Sequence, residues 1–275
     1  MVRRGLLFQT LILSAVLVGA GCDESGGSDG GTAGVSGQGG GGTGGTAGQG
    51  GGGTGGTAGQ GGGGTGGVSE AGLAAFYPFN GNAQDESGNG NDGSPVGGAT
   101  LATDRFGSPD SAYQFDGTSG YIEVPDSADF NFNQPITLTA WIYLNDNTIG
   151  GIVGQWGPGG IGGDAFVLSA KAGRLKFTLP RPGLYELDSQ STLAESEWLF
   201  VSVVYDGANL KLFINGAEDA SDTVAIDQVD SDQPVRIGFE RIIISDPGYL
   251  DGLVDDVRIY NRALSDAEIQ QLYQP

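Results

Sequence analysis

The chain has 275 residues and a formal charge of −21 at neutral pH, from 33 acidic and 12 basic residues. This charge excludes nucleic acids as partners and disfavours anionic polysaccharides, because both need cationic side chains to neutralise their acidic groups. Neutral or cationic ligands and metal cations fit the field better. Histidine is absent and Cys22 is the only cysteine, which excludes intrachain disulfides and histidine-dependent catalytic triads.

The first 22 residues have the layout of a secretory signal peptide. Arg3 and Arg4 precede an apolar run from Leu6 to Val18, and small residues stand directly before Cys22. The segment resembles a bacterial lipoprotein signal, although such signals usually have leucine where this chain has Gly19. The resemblance implies that Cys22 carries a lipid, which would anchor the exported chain in the cell envelope, on the periplasmic side or at the outer surface. Ordinary secretion and an uncleaved anchor are the alternatives.

Residues 23–69 are dominated by glycine and repeat with an 11-residue period, which places Gln38, Gln49 and Gln60 in register. Such a period could indicate a solenoid, but no repeat contains a side chain able to form a core. We therefore predict a flexible linker over 23–69 and one folded domain over 70–275.

The folded part has the texture of an all-β protein, with short apolar or alternating segments separated by glycine, asparagine, aspartate and proline. Eleven or more strands in one domain of this size favour two packed antiparallel sheets. The candidate strands are Ala74 to Phe79, Ala112 to Phe115, Tyr121 to Val124, Ile136 to Leu144, Gly151 to Trp156, Ala165 to Ser169, Leu175 to Leu179, Trp198 to Tyr205, Leu210 to Asn215, Val235 to Gly238 and Asp255 to Tyr260.

Two local signals are clearer than the others. Asp206-Gly207 separates the two apolar runs of a predicted hairpin, and Asn215-Gly216 follows the second run; both pairs favour the positive φ angles of tight turns. Near the end of the chain, Ser265 and Glu268 have the spacing of a helix capping box, and Ile269 and Leu272 supply an apolar stripe. The sequence therefore predicts one short C-terminal helix.

Five segments, in order along the chain, carry a resemblance to the laminin-G-like members of the concanavalin A-like lectin and glucanase jelly rolls. They are Tyr77-Pro78-Phe79 with Asp85 to Asn89, Tyr113 to Gly117 with Tyr121 to Pro125, Ile136 to Ile142, Trp198 with Tyr205-Asp206-Gly207 and Phe213 to Gly216, and Gly252 to Leu264. The resemblance covers almost all of residues 73 to 273. It implies a two-sheet jelly-roll sandwich in which the concave face and edge loops bind ligands in many members, often with calcium.

Calcium is the chemical hypothesis with the most support in the sequence. Asp85, Ser87 and Asn89 place oxygen-bearing side chains at alternate positions of one segment, as a hard cation requires. The same residues are also typical of a simple turn. Since first and last strands commonly adjoin in this fold, Asp255 or Asp256 could complete the site. Alternation along a strand points these two side chains to opposite faces, so at most one is expected to be a ligand, and Asp255 is the candidate.

Aromatic residues in glycine- or proline-flanked segments are the candidate ligand-binding groups, namely Trp156, Tyr185 and Tyr249. A ring on a rigid scaffold can stack on a sugar or anchor a protein partner. The alternative is that these rings close the ends of the core. Trp141 and Trp198 lie inside strand patterns, and we predict that both are core residues.

Three functions remain open at this point. The first is a binding module that recognises a glycan or an extracellular protein, assisted by calcium. The second is a structural or adhesive component of the envelope. The third is a carbohydrate-active enzyme, for which Glu186 and Asp188 are the nearest carboxylate pair, but Ser191 stands where a further glutamate is expected. We predict binding without catalysis.

Overall fold

The computed structural model describes residues 68–131, 135–156, 166–181, 183–225, 231–243 and 246–274. The predicted signal peptide, including Cys22, and nearly all of the predicted linker lie outside these ranges. Among the described residues, no helix is both long and apolar enough to cross a membrane.

The described chain forms two large antiparallel sheets, a small hairpin and one C-terminal helix, which confirms the predicted jelly-roll sandwich. The strands are β1 Leu73–Tyr77, β2 Ser94–Val96, β3 Thr100–Ala102, β4 Ala112–Asp116, β5 Tyr121–Val124, β6 Ile136–Leu144, β7 Ile149–Gln155, β8 Phe166–Lys171, β9 Arg174–Arg181, β10 Gly183–Thr192, β11 Trp198–Tyr205, β12 Asn209–Ile214, β13 Ala217–Thr223, β14 Val235–Ile237, β15 Phe239–Ile243, β16 Asp246–Tyr249 and β17 Asp251–Tyr260. A 3-10 turn spans Ala128–Phe130, and helix α1 spans Asp266–Tyr273.

The eight-stranded sheet has the order β13-β12-β11-β6-β17-β4-β3, with β1 also paired to β17. The seven-stranded sheet has the order β10-β9-β8-β7-β14-β5-β2. Strands β15 and β16 pair with each other and form a separate hairpin. The first strand pairs with the last, as expected from the resemblance.

The core lies between the two large sheets and follows the strand alternation. Each strand contributes alternate apolar side chains, such as Leu138 and Ile142 from β6 and Leu168 from β8, all fully buried. At one edge of the sandwich, Asp219 of β13 accepts hydrogen bonds from the backbone amides of Gln190 and Ser191 in β10. These bonds close that edge by joining one sheet to the other.

A second apolar cluster lies on the outer face of the eight-stranded sheet, beneath α1. Trp141 and Phe200 pack there against Ile269 and Leu272 of the helix, and the predicted capping box of Ser265 and Glu268 is present. Trp141 is therefore buried as predicted, but under the helix and not between the sheets. Val68 belongs to the same cluster, so the domain begins before the predicted boundary at residue 70.

Candidate functional site

The outer face of the seven-stranded sheet carries most of the polar and charged side chains of that sheet. Leu168, Phe177 and their alternating neighbours fill the core, so the intervening residues of the same strands point outward. We call this surface the candidate face. It carries Tyr121, Glu123, Trp156, Val167, Ser169, Lys171, Lys176, Thr178, Glu186, Asp188 and Arg236, and it includes the β15–β16 hairpin that rests on it, with Phe239, Glu240 and Tyr249.

Lys176 links two acidic residues across the candidate face. Its ammonium lies 2.8 Å from Glu186 and 3.0 Å from Asp188, both on β10. Burial by itself would lower the pKa of Lys176, but the hydrogen bonds to Glu186 and Asp188 outweigh it and raise the pKa. The two carboxylates thus share one face, as alternation predicts for residues two apart, and are held there as an ion-paired row.

The β15–β16 hairpin rests on the candidate face at Gly151. A Cβ atom added to Gly151 would lie 2.2 Å from the carbonyl carbon of Phe239 and 2.4 Å from the amide nitrogen of Glu240. Only glycine permits this approach of the hairpin backbone to β7. The base of the hairpin is held by a hydrogen bond from Leu250 N–H to the carbonyl of Gly238.

Three partly buried aromatic rings stand beside this hairpin. The ring of Phe239 lies 4.6 Å from that of Tyr249 and 5.4 Å from that of Tyr121, measured between centroids. The guanidinium of Arg236 lies 5.9 Å from the Tyr121 ring and also pairs with Glu123 at 3.1 Å. The arrangement gives the candidate face an aromatic patch with a charged border.

Several buried polar groups of the candidate face have no hydrogen-bond partner among the described residues. They are the hydroxyls of Ser169 and Thr178, the indole N–H of Trp156, and both carboxylate oxygens of Glu240. Thr139 and Ser202 also carry unpaired hydroxyls, on the outer face of the other sheet, where β6 and β11 pair. Buried polar groups are normally paired, so a concentration of unpaired ones marks a place where a ligand can supply partners.

The structure places the three predicted aromatic residues differently from one another. Trp156 is only 3% exposed and packs on Val167, which favours the alternative that its ring closes the end of the core. Tyr185 is partly buried against the core and donates its hydroxyl to Asp222 at 2.7 Å, across the joined sheet edges. Tyr249 is part of the aromatic patch. Trp156 and Tyr249 therefore belong to the candidate face, whereas Tyr185 belongs to the edge.

The segment from Asp85 to Asn89 is organised as a turn that is fastened to β1. The carboxylate of Asp85 accepts hydrogen bonds from the amides of Phe76, Ser87 and Asn91 and from the Ser87 hydroxyl, at 2.8–3.0 Å. Asn89 donates its side-chain amide to the carbonyl of Leu73 at 2.8 Å. A cation would have to displace these donors, so the residues do not fit a calcium site in this arrangement.

Asp255, the fourth predicted calcium ligand, is engaged elsewhere. It is 3% exposed and pairs with Arg105, which also binds Asp256 at 2.6 Å. The prediction that Asp255 and Asp256 point to opposite faces is wrong, because a register shift in β17 and a positive φ of 48° at Asp256 form a bulge that turns both carboxylates to one guanidinium. Among the described residues, no three His, Cys, Asp or Glu side chains are grouped to hold a metal.

Sequence reasoning missed Glu240, Ser169 and Thr178. Ser169 and Thr178 were available from the predicted strands, since each alternates with apolar residues that point to the core. Glu240 lay outside every predicted strand, and its place on the candidate face depends on the hairpin that crosses Gly151. Nothing in the sequence near Glu240 indicates that crossing.

The comparisons with known proteins identify the family. The model of the concanavalin A-like lectin/glucanases superfamily, Laminin_G_3, matches residues 116–270, more than half of the chain, and the chain belongs to this superfamily. The match begins at the end of β4, so β1 to β3 lie outside it. A search of curated protein sequences finds no match.

Solved structures with the same fold include a domain of a polysaccharide-degrading enzyme and toxin binding domains. Domain 4 of AbnA, a GH43 extracellular arabinanase from Geobacillus stearothermophilus, in complex with arabinotriose, is 23% identical with a TM-score of 0.59, over 74% of this chain and 98% of that one. The binding domain of Paraclostridial Mosquitocidal Protein 1 is 16% identical with a TM-score of 0.59, and that of botulinum neurotoxin DC in complex with rat synaptotagmin II is 15% identical with a TM-score of 0.59. Both comparisons cover 74% of this chain, which spans about half of those chains, at 52% and 51%.

We expect Asp85→Ala to lower the stability of the domain by about 1–3 kcal/mol, because the substitution leaves backbone amides of the turn without an acceptor. The loss should be equal in calcium and in excess chelator, as measured by thermal unfolding of the full chain. Glu86→Ala, in the same turn but with an exposed side chain, is the control and should unfold like the parent. A calcium-dependent rise in the melting temperature of the parent that Asp85→Ala removes would instead establish the metal site.

We expect Asp255 to make stability fall as the pH rises from about 4 to about 7. Burial and the neighbouring Asp256 carboxylate raise the pKa of Asp255 to about 7, although Arg105 opposes the rise. The folded chain therefore holds this proton at pH values where the unfolded chain, with a pKa near 3.9, has lost it. Asp255→Asn should flatten the denaturant-measured pH profile over this range, and the exposed Asp232→Asn should not. An Asp255→Asn profile parallel to that of the parent would mean that Arg105 keeps the carboxylate ionised throughout.

Proposed function

We propose that the domain is a lectin-like binding module that recognises a neutral glycan on the candidate face. The observation that carries this proposal is the combination of an aromatic patch with buried, unpaired hydroxyl, indole and carboxylate groups on one face of the sandwich. Sugars present both apolar ring faces and hydroxyl groups, so they match rings that can be stacked on and polar groups that need partners.

The charges favour a neutral ligand. The whole chain carries a formal charge of −21, which would repel an anionic glycan. On the candidate face, Glu186 and Asp188 already neutralise Lys176, and Glu123 neutralises Arg236. Among the described residues of the candidate face, these pairs leave no unpaired cluster of one sign to attract a charged ligand.

The fold supports the proposal without fixing the ligand. The arabinanase domain of the same fold was solved with arabinotriose, and a botulinum neurotoxin DC binding domain was solved in complex with SialylT. Another structure of that toxin domain contains the protein synaptotagmin II. An extracellular or envelope protein is therefore the alternative partner, and it is one outcome of the test below.

Binding without catalysis is part of the proposal. Glu186 and Asp188 are the carboxylates closest to the pattern of the related glucanases, but both are bound to Lys176. A catalytic pair needs one carboxyl group that donates a proton and another that acts as a nucleophile or base. Here one ammonium holds both carboxylates in ion pairs, so neither stands free for these two roles.

Display from a membrane completes the proposed function. The described domain begins at Val68, which is buried in the cluster beneath α1, and Arg262 binds the carbonyls of Ser69 and Ala71. This fixes the entry of the chain on the layer opposite the candidate face. A lipid on Cys22 and the glycine-rich linker would then hold the domain at the membrane.

We expect the full chain to bind immobilised neutral oligosaccharides, with arabinotriose among them, and to release no reducing sugar. Tyr249→Ala should weaken binding at least about tenfold, from the loss of a ring of the aromatic patch, and Thr178→Val by about two- to tenfold, from the loss of one hydrogen bond. Thr139→Val removes an unpaired buried hydroxyl outside the candidate face and should leave binding unchanged. Capture of envelope proteins with no glycan binding would favour the alternative partner, and release of reducing sugar would favour an enzyme.

We expect Cys22→Ser to prevent lipidation and move the chain from the membrane fraction to the soluble fraction of the cells that express it. The parent should incorporate a radiolabelled fatty acid, and the variant should not. Ser25→Ala, just beyond the predicted cleavage site, is the control and should fractionate like the parent. A parent chain that is found without a lipid in the soluble fraction would contradict the anchor.

A further inference from the structure

The proposed function gives the buried carboxylate of Glu240, on the candidate face, no ligand contact of its own. Glu240 is 1% exposed, and neither of its oxygens has a hydrogen-bond partner among the described residues. An ionised carboxylate without partners is among the most costly groups to bury. A position on β15 that served packing alone would be satisfied by an apolar side chain.

Glu240 stands at one end of a polar row that crosses three strands. Its backbone lies against Gly151 of β7, Gly151 pairs with Ser169 of β8, and Ser169 pairs with Lys176 of β9. The Ser169 hydroxyl has no hydrogen bond of ordinary geometry among the described residues either, although it lies close enough to the Glu240 carboxylate to lower the pKa of that group. Neighbouring strands are about 4.8 Å apart, so this row has the spacing of groups that can contact successive hydroxyls of one sugar residue.

The surrounding charges show why Glu240 is not neutralised by the protein. Lys176 is shared by Glu186 and Asp188, and no salt bridge joins Glu240 to any described basic residue. Burial raises the pKa of Glu240, while Lys171, the Ser169 hydroxyl and Lys176 oppose the rise and Glu186 adds to it. The Glu240 carboxyl group thus lies among charges of both signs, which together select neither a cationic nor an anionic ligand.

We infer that Glu240, with Ser169, is the anchor that hydrogen-bonds a vicinal diol of a neutral sugar residue, an inference that rests on the proposed glycan-binding function. A carboxylate offers two acceptor oxygens in one plane, which suits two adjacent hydroxyl donors. If protonated, the same group donates one hydrogen bond and accepts others, so it remains complementary to a diol.

The test measures binding of the parent to a panel of neutral oligosaccharides, beginning with arabinotriose, and to the same panel after periodate cleavage of vicinal diols. Glu240→Ala should weaken binding about 10- to 100-fold, which is the usual effect of removing one hydrogen-bonding partner with a charge. Glu240→Gln, which still accepts and donates, should weaken it less, and Ser169→Ala should act in the same direction as Glu240→Ala. Glu197→Gln, at an exposed residue before β11, is the matched control and should bind like the parent.

A second readout needs no ligand. If Glu240 is kept for a ligand and not for the fold, Glu240→Gln should raise the melting temperature of the free chain, and the rise should be larger at pH 8 than at pH 4, where the parent carboxyl is protonated. A fall in the melting temperature would show that Glu240 has a structural partner and would overturn the inference.

The binding outcomes separate the two proposals. Binding by the parent with Glu240→Ala unchanged, or with the periodate-treated panel bound equally well, overturns the anchor and leaves the glycan-binding function in place. Absence of binding to any member of the panel by the parent overturns the proposed function and the anchor with it.

Discussion

The path of β17 is the constraint on which the rest of the sandwich depends. This strand pairs with β6 along one edge, and its other edge is divided between β4 at residues 251–254 and β1 at residues 257–260. The division falls at the bulge of Asp255 and Asp256, where Asp256 adopts a positive φ. Arg105 holds both carboxylates, and its guanidinium stacks 4.7 Å from the ring of Trp141 and 4.3 Å from that of Phe106. A charged contact thus fixes the point at which three strands meet.

The two outer faces of the sandwich are covered in different ways, and this difference decides which of them is available to a ligand. The eight-stranded sheet is covered by α1, by Val68 at the start of the domain and by Arg105, so its aromatic residues are used in packing. The seven-stranded sheet is covered in part by a hairpin that forms no strand pairing with it among the described residues. Where the hairpin covers the sheet without a shared strand ladder, polar side chains lack hydrogen bonds of ordinary geometry among the described residues, as Ser169 on β8 and Glu240 on the hairpin itself show.

The sequence was sufficient for the architecture because alternation and turn chemistry are local. Strand β11 was predicted with its observed bounds, and the capping box at Ser265 was predicted from spacing alone. The short strands β2, β3, β15 and β16 and the edge strands β10 and β13 were missed. Their side chains alternate weakly or are polar on both faces, as in β13, where Ala220 is the one buried residue. Such strands form because a neighbour offers hydrogen bonds, which a single segment does not reveal.

The candidate site was harder to predict from the sequence, for a similar reason. Trp156 and Tyr249 could be proposed as aromatic residues near turns, but the burial of Trp156 against Val167 depends on two strands that meet in space. The wrong prediction for Asp255 and Asp256 has a separate cause. A bulge inserts one residue into a strand, so the side chains beyond it point to the opposite faces of the sheet. Bulges are frequent beside binding sites, but the residues that form one have no single sequence signature.

Glu240 and Asp255 are both buried acids, yet the protein treats them in opposite ways. Asp255 pairs with Arg105 at the bulge of a central strand, so its carboxyl group has a structural partner that fixes the geometry there. Glu240 has no such partner among the described residues and lies on a hairpin that the strand ladders of the sandwich do not include. Real proteins depart from full polar satisfaction mainly at functional sites. The contrast between these residues therefore separates a carboxylate that the fold requires from one whose presence is best explained by a ligand.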